Sequence, residues 1–172
     1  MNNEGNVEDK GAGAPRVSGR VKDSPEVIAF PPVLYLGTLL SGLLIHFFEP
    51  VPLSTTPWIR LAGVFILASG IFLARWGRRT MVAAGTNVIP NKPTLAIVTE
   101  GPFRYTRNPL YIGATLAYVG LALIFNSFWP LALLPPLLVV VHWGVVRREE
   151  TYLEAKFGTQ YLVYKESVRR WI

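Results

Sequence analysis

Four long apolar runs, separated by polar connections of unequal length, set the pattern of this chain. They occupy roughly residues 30–48 (FPPVLYLGTLLSGLLIHFF), 58–76 (WIRLAGVFILASGIFLARW), 109–125 (PLYIGATLAYVGLALIF) and 128–146 (FWPLALLPPLLVVVHWGVV). A helix that crosses a bilayer needs about 20 apolar residues, within a range of about 17–25, and all four runs fall in that range. Helices buried in a soluble core would need amphipathic partners, and almost none precede Arg147. Gly37, Ser41, Gly42, Gly63, Ala68, Ser69 and Gly70 are small enough to let spans approach closely. Pro135-Pro136 predicts a kink in the fourth run. Beyond it, RREETYLEAKFG reads as a helix ended by Gly158, and Thr159 as the N-cap of a last short helix with Tyr161, Leu162, Tyr164 and Val168 on its apolar side. Residues 1–26 are polar and glycine-rich and read as a disordered tail, leaving 27–172 as one domain. The expectation is an all-α polytopic membrane protein with about four transmembrane helices, the last two forming a tight hairpin, plus short cytoplasmic helices.

Composition agrees and charge adds direction. Apolar residues make up 51% of the 172, charged residues 16%, and there is no cysteine, so disulfides and thiolate chemistry are absent. The two histidines, His46 and His142, have no metal-type partner spacing and suit packing roles. The formal charge is +6, but the basic residues flank the apolar runs rather than forming the single run expected for nucleic acid. The tail, the end of run two with the connection that follows it, and the segment after run four carry every Lys and Arg but Arg60. By the positive-inside rule both termini and the middle connection face the cytoplasm.

Two polar clusters stand at that face. GPFRYTRNPLY (residues 101–111) leads into run three, with Asn108 suited to cap the helix and Pro109 to begin it. Arg147-Arg148-Glu149-Glu150 follows run four. A minimal turn at Asn126-Ser127 makes runs three and four a hairpin, bringing Arg107 and Asn108 near Arg148 and Glu149. Carboxylates, guanidinium groups, an amide and aromatic rings together suit a zwitterion with a cationic centre. S-adenosyl-L-methionine has each of these parts, although composition alone does not select it.

The order and spacing of the clusters do more. Gly101, Phe103, Arg107, Asn108, Pro109 and Tyr111, then Glu149, Glu150 and Leu153, then Phe157, Gly158, Tyr161 and Tyr164 resemble the isoprenylcysteine carboxyl methyltransferase and phospholipid methyltransferase group of integral membrane enzymes. The resemblance runs from about residue 95 to the C-terminus; the first two runs match only as generic spans. It implies methyl transfer from S-adenosyl-L-methionine to a membrane-associated acceptor, with a cofactor site mainly in residues 95–172. By correspondence the cofactor residues are Leu95, Ala96, Ile97, Val98, Phe103, Arg107, Asn108, Pro109, Leu110, Tyr111 and Glu149. Asn108 replaces the family's histidine and cannot titrate near neutral pH; Phe103 replaces a tyrosine. Glu150 becomes a candidate general base, and Arg148 is nearest in type to the family's substrate-contacting arginine. The expected acceptor is the carboxylate of a prenylcysteine-like or other lipid-like molecule. Alternatives are methylation of a phospholipid head group or of a small amine or thiol, and a non-enzymatic membrane scaffold or transport component.

Overall fold

The computed structural model describes residues 24, 25, 27–89 and 92–171, so the tail expected at 1–26 lies almost wholly outside the described residues. Among these the chain is helical, without strands. The helices are α1 (Pro31–Phe48), α2 (Trp58–Ala83), α3 (Pro109–Ile124), α4 (Phe128–Val141), α5 (Arg147–Phe157) and α6 (Thr159–Ser167). A 3-10 turn, Gly101–Arg104, precedes α3, and a π-helical turn, His142–Val146, joins α4 to α5. Pro31 and Pro109 begin their helices, where a missing N–H costs nothing. Pro135 and Pro136 sit inside α4 without ending it, as spans tolerate when neighbouring groups satisfy the freed carbonyls.

Three stretches, Pro31–Phe48, Trp58–Ala83 and Phe128–Phe157, are long and apolar enough to cross a membrane; α3 is a shorter apolar helix. α2 has 26 residues. At about 1.5 Å per residue it reaches about 39 Å, beyond a hydrocarbon core of about 30 Å. Its outer face carries exposed Leu61, Val64, Phe65, Ile71 and Phe72, and α1 shows Val33, Leu36, Leu40, Leu44 and Phe47. So much exposed apolar surface marks a lipid-facing exterior.

Glycines decide the helix pairing. Gly63, Gly70 and Gly77 recur every seven residues on α2, and Gly113 and Gly120 do so on α3. A Cβ on Gly120 would lie 2.5 Å from the Leu67 amide nitrogen, and one on Gly70 would lie 2.6 Å from the Gly113 carbonyl. The backbones of α2 and α3 therefore touch, in the manner of small-residue interfaces. α1 packs chiefly on α4, where Gly42 meets the backbone of Pro130, and α1 and α2 barely meet. The α3–α4 turn is as tight as expected, yet beyond it the two helices take different principal partners. Asn126, in the left-handed region at φ 52°, makes that turn. Its Oδ1 accepts from the amides of Leu53 and Ser54, and its Nδ2 donates to the Ser54 carbonyl, tying the turn to the α1–α2 loop. The core between α1, α3 and α4 is Tyr35, Leu39, Tyr118, Leu137 and Val141. His142 packs against the ring of Trp171, 6.0 Å between centroids.

Gly120→Ala is expected to destabilise the protein by about 1–3 kcal/mol, because backbone cannot move aside for the new methyl. A Cβ on Gly37 would meet nothing within 4 Å. Gly37→Ala should therefore be neutral or raise stability by up to about 1 kcal/mol. Thermal unfolding of the two variants in one detergent compares them directly; equal midpoints would mean that α2 and α3 are not locked by this contact.

Two caps differ from expectation. Thr159 is the first residue of α6, and the cap before it is Gly158, whose φ of 53° ends α5 and starts α6 in a single residue. Only glycine takes that backbone conformation readily. Asn108 stands at the N-cap position of α3, but its side chain makes no cap hydrogen bond. Its Nδ2 instead donates to the Arg170 carbonyl.

Candidate functional site

A chamber of about 620 Å³ lies at the basic ends of the helices, inside the range of about 300–1,000 Å³ typical of small-molecule sites. Its walls come from the start of α1, the last turns of α2, the 86–98 connection, the turn into α3, and α5 and α6.

The connection is folded back by its own polar groups. Thr86 Oγ1 accepts from the Leu95 amide at 2.9 Å, and Asn87 Nδ2 donates to the Pro93 carbonyl at 2.8 Å. The Thr94 amide donates to Tyr152 Oη at 3.2 Å, anchoring the loop to α5. Ala96, Ile97 and Val98 thereby line the chamber, while Leu95 turns outward and is 63% exposed.

Glu149 lies in the first turn of α5, half-buried, and its Oε1 accepts a 2.6 Å hydrogen bond from Tyr111 Oη. Tyr111 is held in turn: its carbonyl accepts from Thr115 Oγ1 at 2.9 Å, and that hydroxyl is 2.9 Å from Tyr35 Oη on α1. Glu149 on α5 is thus tied to α3, and that turn of α3 to α1.

Glu150, also in the chamber wall, is only 6% exposed. Its two oxygens take a bidentate pair from Arg170, Nε at 2.9 Å and Nη2 at 2.7 Å, and Arg107 Nη1 lies 3.2 Å from Oε1. The Glu150 hydrogen bond raises the Arg170 pKa further above its ordinary value, so that guanidinium stays charged. A carboxylate gripped in this way is a counter-ion and is badly placed to accept a proton.

Arg107 is the most demanding group in the wall. Its side chain is only 8% exposed, yet among the described residues its Nε finds no hydrogen-bond acceptor, and its Nη1 meets Glu150 as an ion pair without hydrogen-bond geometry. Tyr161 stands beside it with its phenol pushed up to about 12, first by burial, so it remains a neutral hydroxyl. Tyr164 Oη donates to the Phe103 carbonyl at 2.8 Å and fixes the 3-10 turn under the chamber.

The last residues form a strap. The Arg107 amide donates to the Arg169 carbonyl at 3.0 Å, and the Arg170 carbonyl accepts from Thr106 Oγ1 at 3.1 Å and Asn108 Nδ2 at 2.9 Å. Asn108 touches the chamber, but its amide donor is used on the strap.

Of the residues singled out by sequence, Ala96, Ile97, Val98, Phe103, Arg107, Asn108, Pro109, Leu110, Tyr111, Glu149 and Glu150 line this one space. Leu95 and the exposed Arg148 do not. Sequence reasoning passed over Tyr35, Arg75 and Arg78 from the first two helices, and Tyr152 from α5. Only Arg75 and Arg78 carried a signal there, being charges at the end of an apolar run. The chamber therefore offers apolar and aromatic walls, a carboxylate with one hydrogen bond, and a buried guanidinium with unmet donors. A ligand carrying both a cationic centre and an oxyanion satisfies both.

Comparison with known proteins agrees in region. A family model described as phospholipid methyltransferase matches residues 58–160, from the start of α2 into α6. An uncharacterized protein of Haemophilus influenzae is 40% identical over 63 residues, which are 37% of this chain and 79% of that protein. No solved structure matches the chain.

Proposed function

The chain belongs to the phospholipid methyltransferase family, and on that premise we propose that its chamber binds S-adenosyl-L-methionine for transfer of the methyl group to a membrane-associated acceptor. The observation that carries this reading is two groups on one enclosed space: the Glu149 carboxylate, whose one hydrogen bond comes from Tyr111, and Arg107, whose buried Nε finds no acceptor among the described residues. The bound cofactor supplies a methyl group on a sulfonium centre, open to direct displacement. In this reading Glu149 attracts the cationic end of the ligand, and the faces of Tyr111 and Phe103 add to that attraction. Arg107, whose charge Glu150 balances, takes an oxyanion through its open Nε. The 96–98 backbone and Pro109 and Leu110 shape the remaining wall and exclude water. Displacement of this kind depends on positioning more than on covalent catalysis.

The favoured acceptor is a carboxylate on a prenylcysteine-like or other lipid-like molecule. It is ionised at neutral pH and needs no base, which fits a Glu150 already engaged by Arg170. An amine acceptor, as in a phospholipid head group, must lose a proton, and Glu149 rather than Glu150 has the freedom to take it. Arg148, outside the chamber wall, has no part in this assignment.

Calorimetry with S-adenosyl-L-homocysteine in detergent tests the reading. Saturable heat is expected; a folded sample that shows neither heat nor a thermal shift at millimolar ligand overturns it. Labelled cofactor with fractionated membrane lipids would then identify the acceptor. The one-sided Lys and Arg distribution further leads us to place the chamber and both termini in the cytoplasm. Reporter fusions at Met1 and at Ile172 should both report cytoplasm, and a split result would require an odd number of spans.

A further inference from the structure

α1 packs on α4 and α2 on α3, so a seam is left between α1 and α2 where it meets the chamber. The residues on either side of the seam are exposed: Phe30 and Pro32 on one side, Arg75 and Arg78 on the other. Arg75 and Arg78 are i,i+3 neighbours on one face of α2, and both line the chamber. Several cations nearby are partnered; Arg79, Arg104 and Arg169 make no ion pair among the described residues, but none of those three lines the chamber. Arg170 and Arg107 lie on Glu150, Lys165 pairs with Glu154, and Arg147 lies over the Trp143 ring. Among the described residues Arg75 and Arg78 make no ion pair. Of the two chamber carboxylates, Glu150 is already matched. Two arginines beside an apolar seam at the end of a span fit one kind of ligand, an oxyanion carried on an apolar chain.

We propose that Arg75 and Arg78 form an oxyanion subsite that receives the head of an amphiphilic acceptor whose chain lies in the seam between α1 and α2. The subsite deepens the methyltransferase reading and rests on it for the acceptor's role, since α2 delivers the head group into the same space that Glu149 and Arg107 face. Arg79, one residue on, is equally exposed but outside the chamber wall, and it supplies an internal control.

Three probes separate head from chain: N-palmitoylglycine, its uncharged analogue N-palmitoylethanolamine, and the chainless N-acetylglycine. Binding to the full-length protein in an uncharged detergent is followed by tryptophan fluorescence, with S-adenosyl-L-homocysteine affinity measured in parallel. N-palmitoylglycine should bind at least about tenfold more tightly than either other probe, and the double variant Arg75→Gln, Arg78→Gln should lose about tenfold or more of that affinity. Arg79→Gln should stay within about twofold, and every variant should keep its S-adenosyl-L-homocysteine affinity, which also shows that it is folded. Four results would overturn the subsite: an equal loss in Arg79→Gln, which would mean bulk interfacial charge; equal binding of the uncharged amide; equal binding of the free short anion; or a loss of S-adenosyl-L-homocysteine affinity in the double variant, which would give these arginines to the methyl donor. Absence of S-adenosyl-L-homocysteine binding in the wild type would instead count against the methyltransferase assignment, while the comparison among the three probes would still decide the subsite.

Discussion

Glu149→Gln should weaken S-adenosyl-L-homocysteine binding by about ten- to a hundredfold while leaving the fold in place. The amide keeps an oxygen for the 2.6 Å hydrogen bond from Tyr111, so the α3–α5 contact survives. What disappears is the negative charge facing the chamber. A hydrogen bond to a charged group is worth about 1.5–3 kcal/mol, which is that range of affinity. The control must remove one carboxylate from the same region without touching the chamber. Lys156, a charge on the same helix, does not serve for comparison, because its Nζ lies 3.0 Å from Tyr152 Oη and over the Tyr152 ring. Glu166 on α6 is exposed and outside the wall. Glu166→Gln should change affinity by less than about twofold. Equal affinities in the two variants, both extracted as folded protein, would remove Glu149 from the site.

The elements that hydrophobic runs can specify were legible. The run at 30–48 is α1 plus one residue at its start, and that at 109–125 is α3 plus one at its end. The run at 58–76 stops short of α2, which continues to Ala83 through Arg78 and Arg79. Apolarity ends where the bilayer ends, whereas a helix ends where its backbone bonds do. The run at 128–146 hides the change from α to π helix, since one wider turn leaves hydropathy unaltered. Which helices pair was written in residues of no chemistry, the seven-residue glycine spacing of α2 and α3. The meeting of the 107–111 and 149–150 clusters followed from the tight turn at Asn126. The part played by α1 and α2 did not, because Tyr35 and Arg78 reach the chamber only through packing. Nor did the strap: twenty residues separate Glu150 from Arg170, and no periodicity links an extended terminus to a helix.

That strap gives the second large effect. Glu150→Gln should be the more damaging change to stability, because it leaves two guanidinium groups, one of them only 8% exposed, without their shared carboxylate. Breaking a buried pair from one side costs about 3–5 kcal/mol, or roughly 6–20 °C in midpoint for a chain of this size. Arg170→Gln should cost less. Arg170 is 33% exposed, and Arg107 remains 3.2 Å from the carboxylate to neutralise it. The double variant should lose less than the sum of the two, since removing Arg170 along with Glu150 leaves one stranded guanidinium, Arg107, instead of two, with a coupling of about 1–3 kcal/mol. Additive losses, or a larger loss in Arg170→Gln, would show that the cluster does not act as a unit. The neighbouring carboxylates make the contrast sharp. Glu149→Gln should keep its unfolding midpoint and lose ligand, whereas Glu150→Gln should lose its midpoint first. Any drop in its ligand affinity should follow from release of Arg107 and Asn108 as the strap lets go.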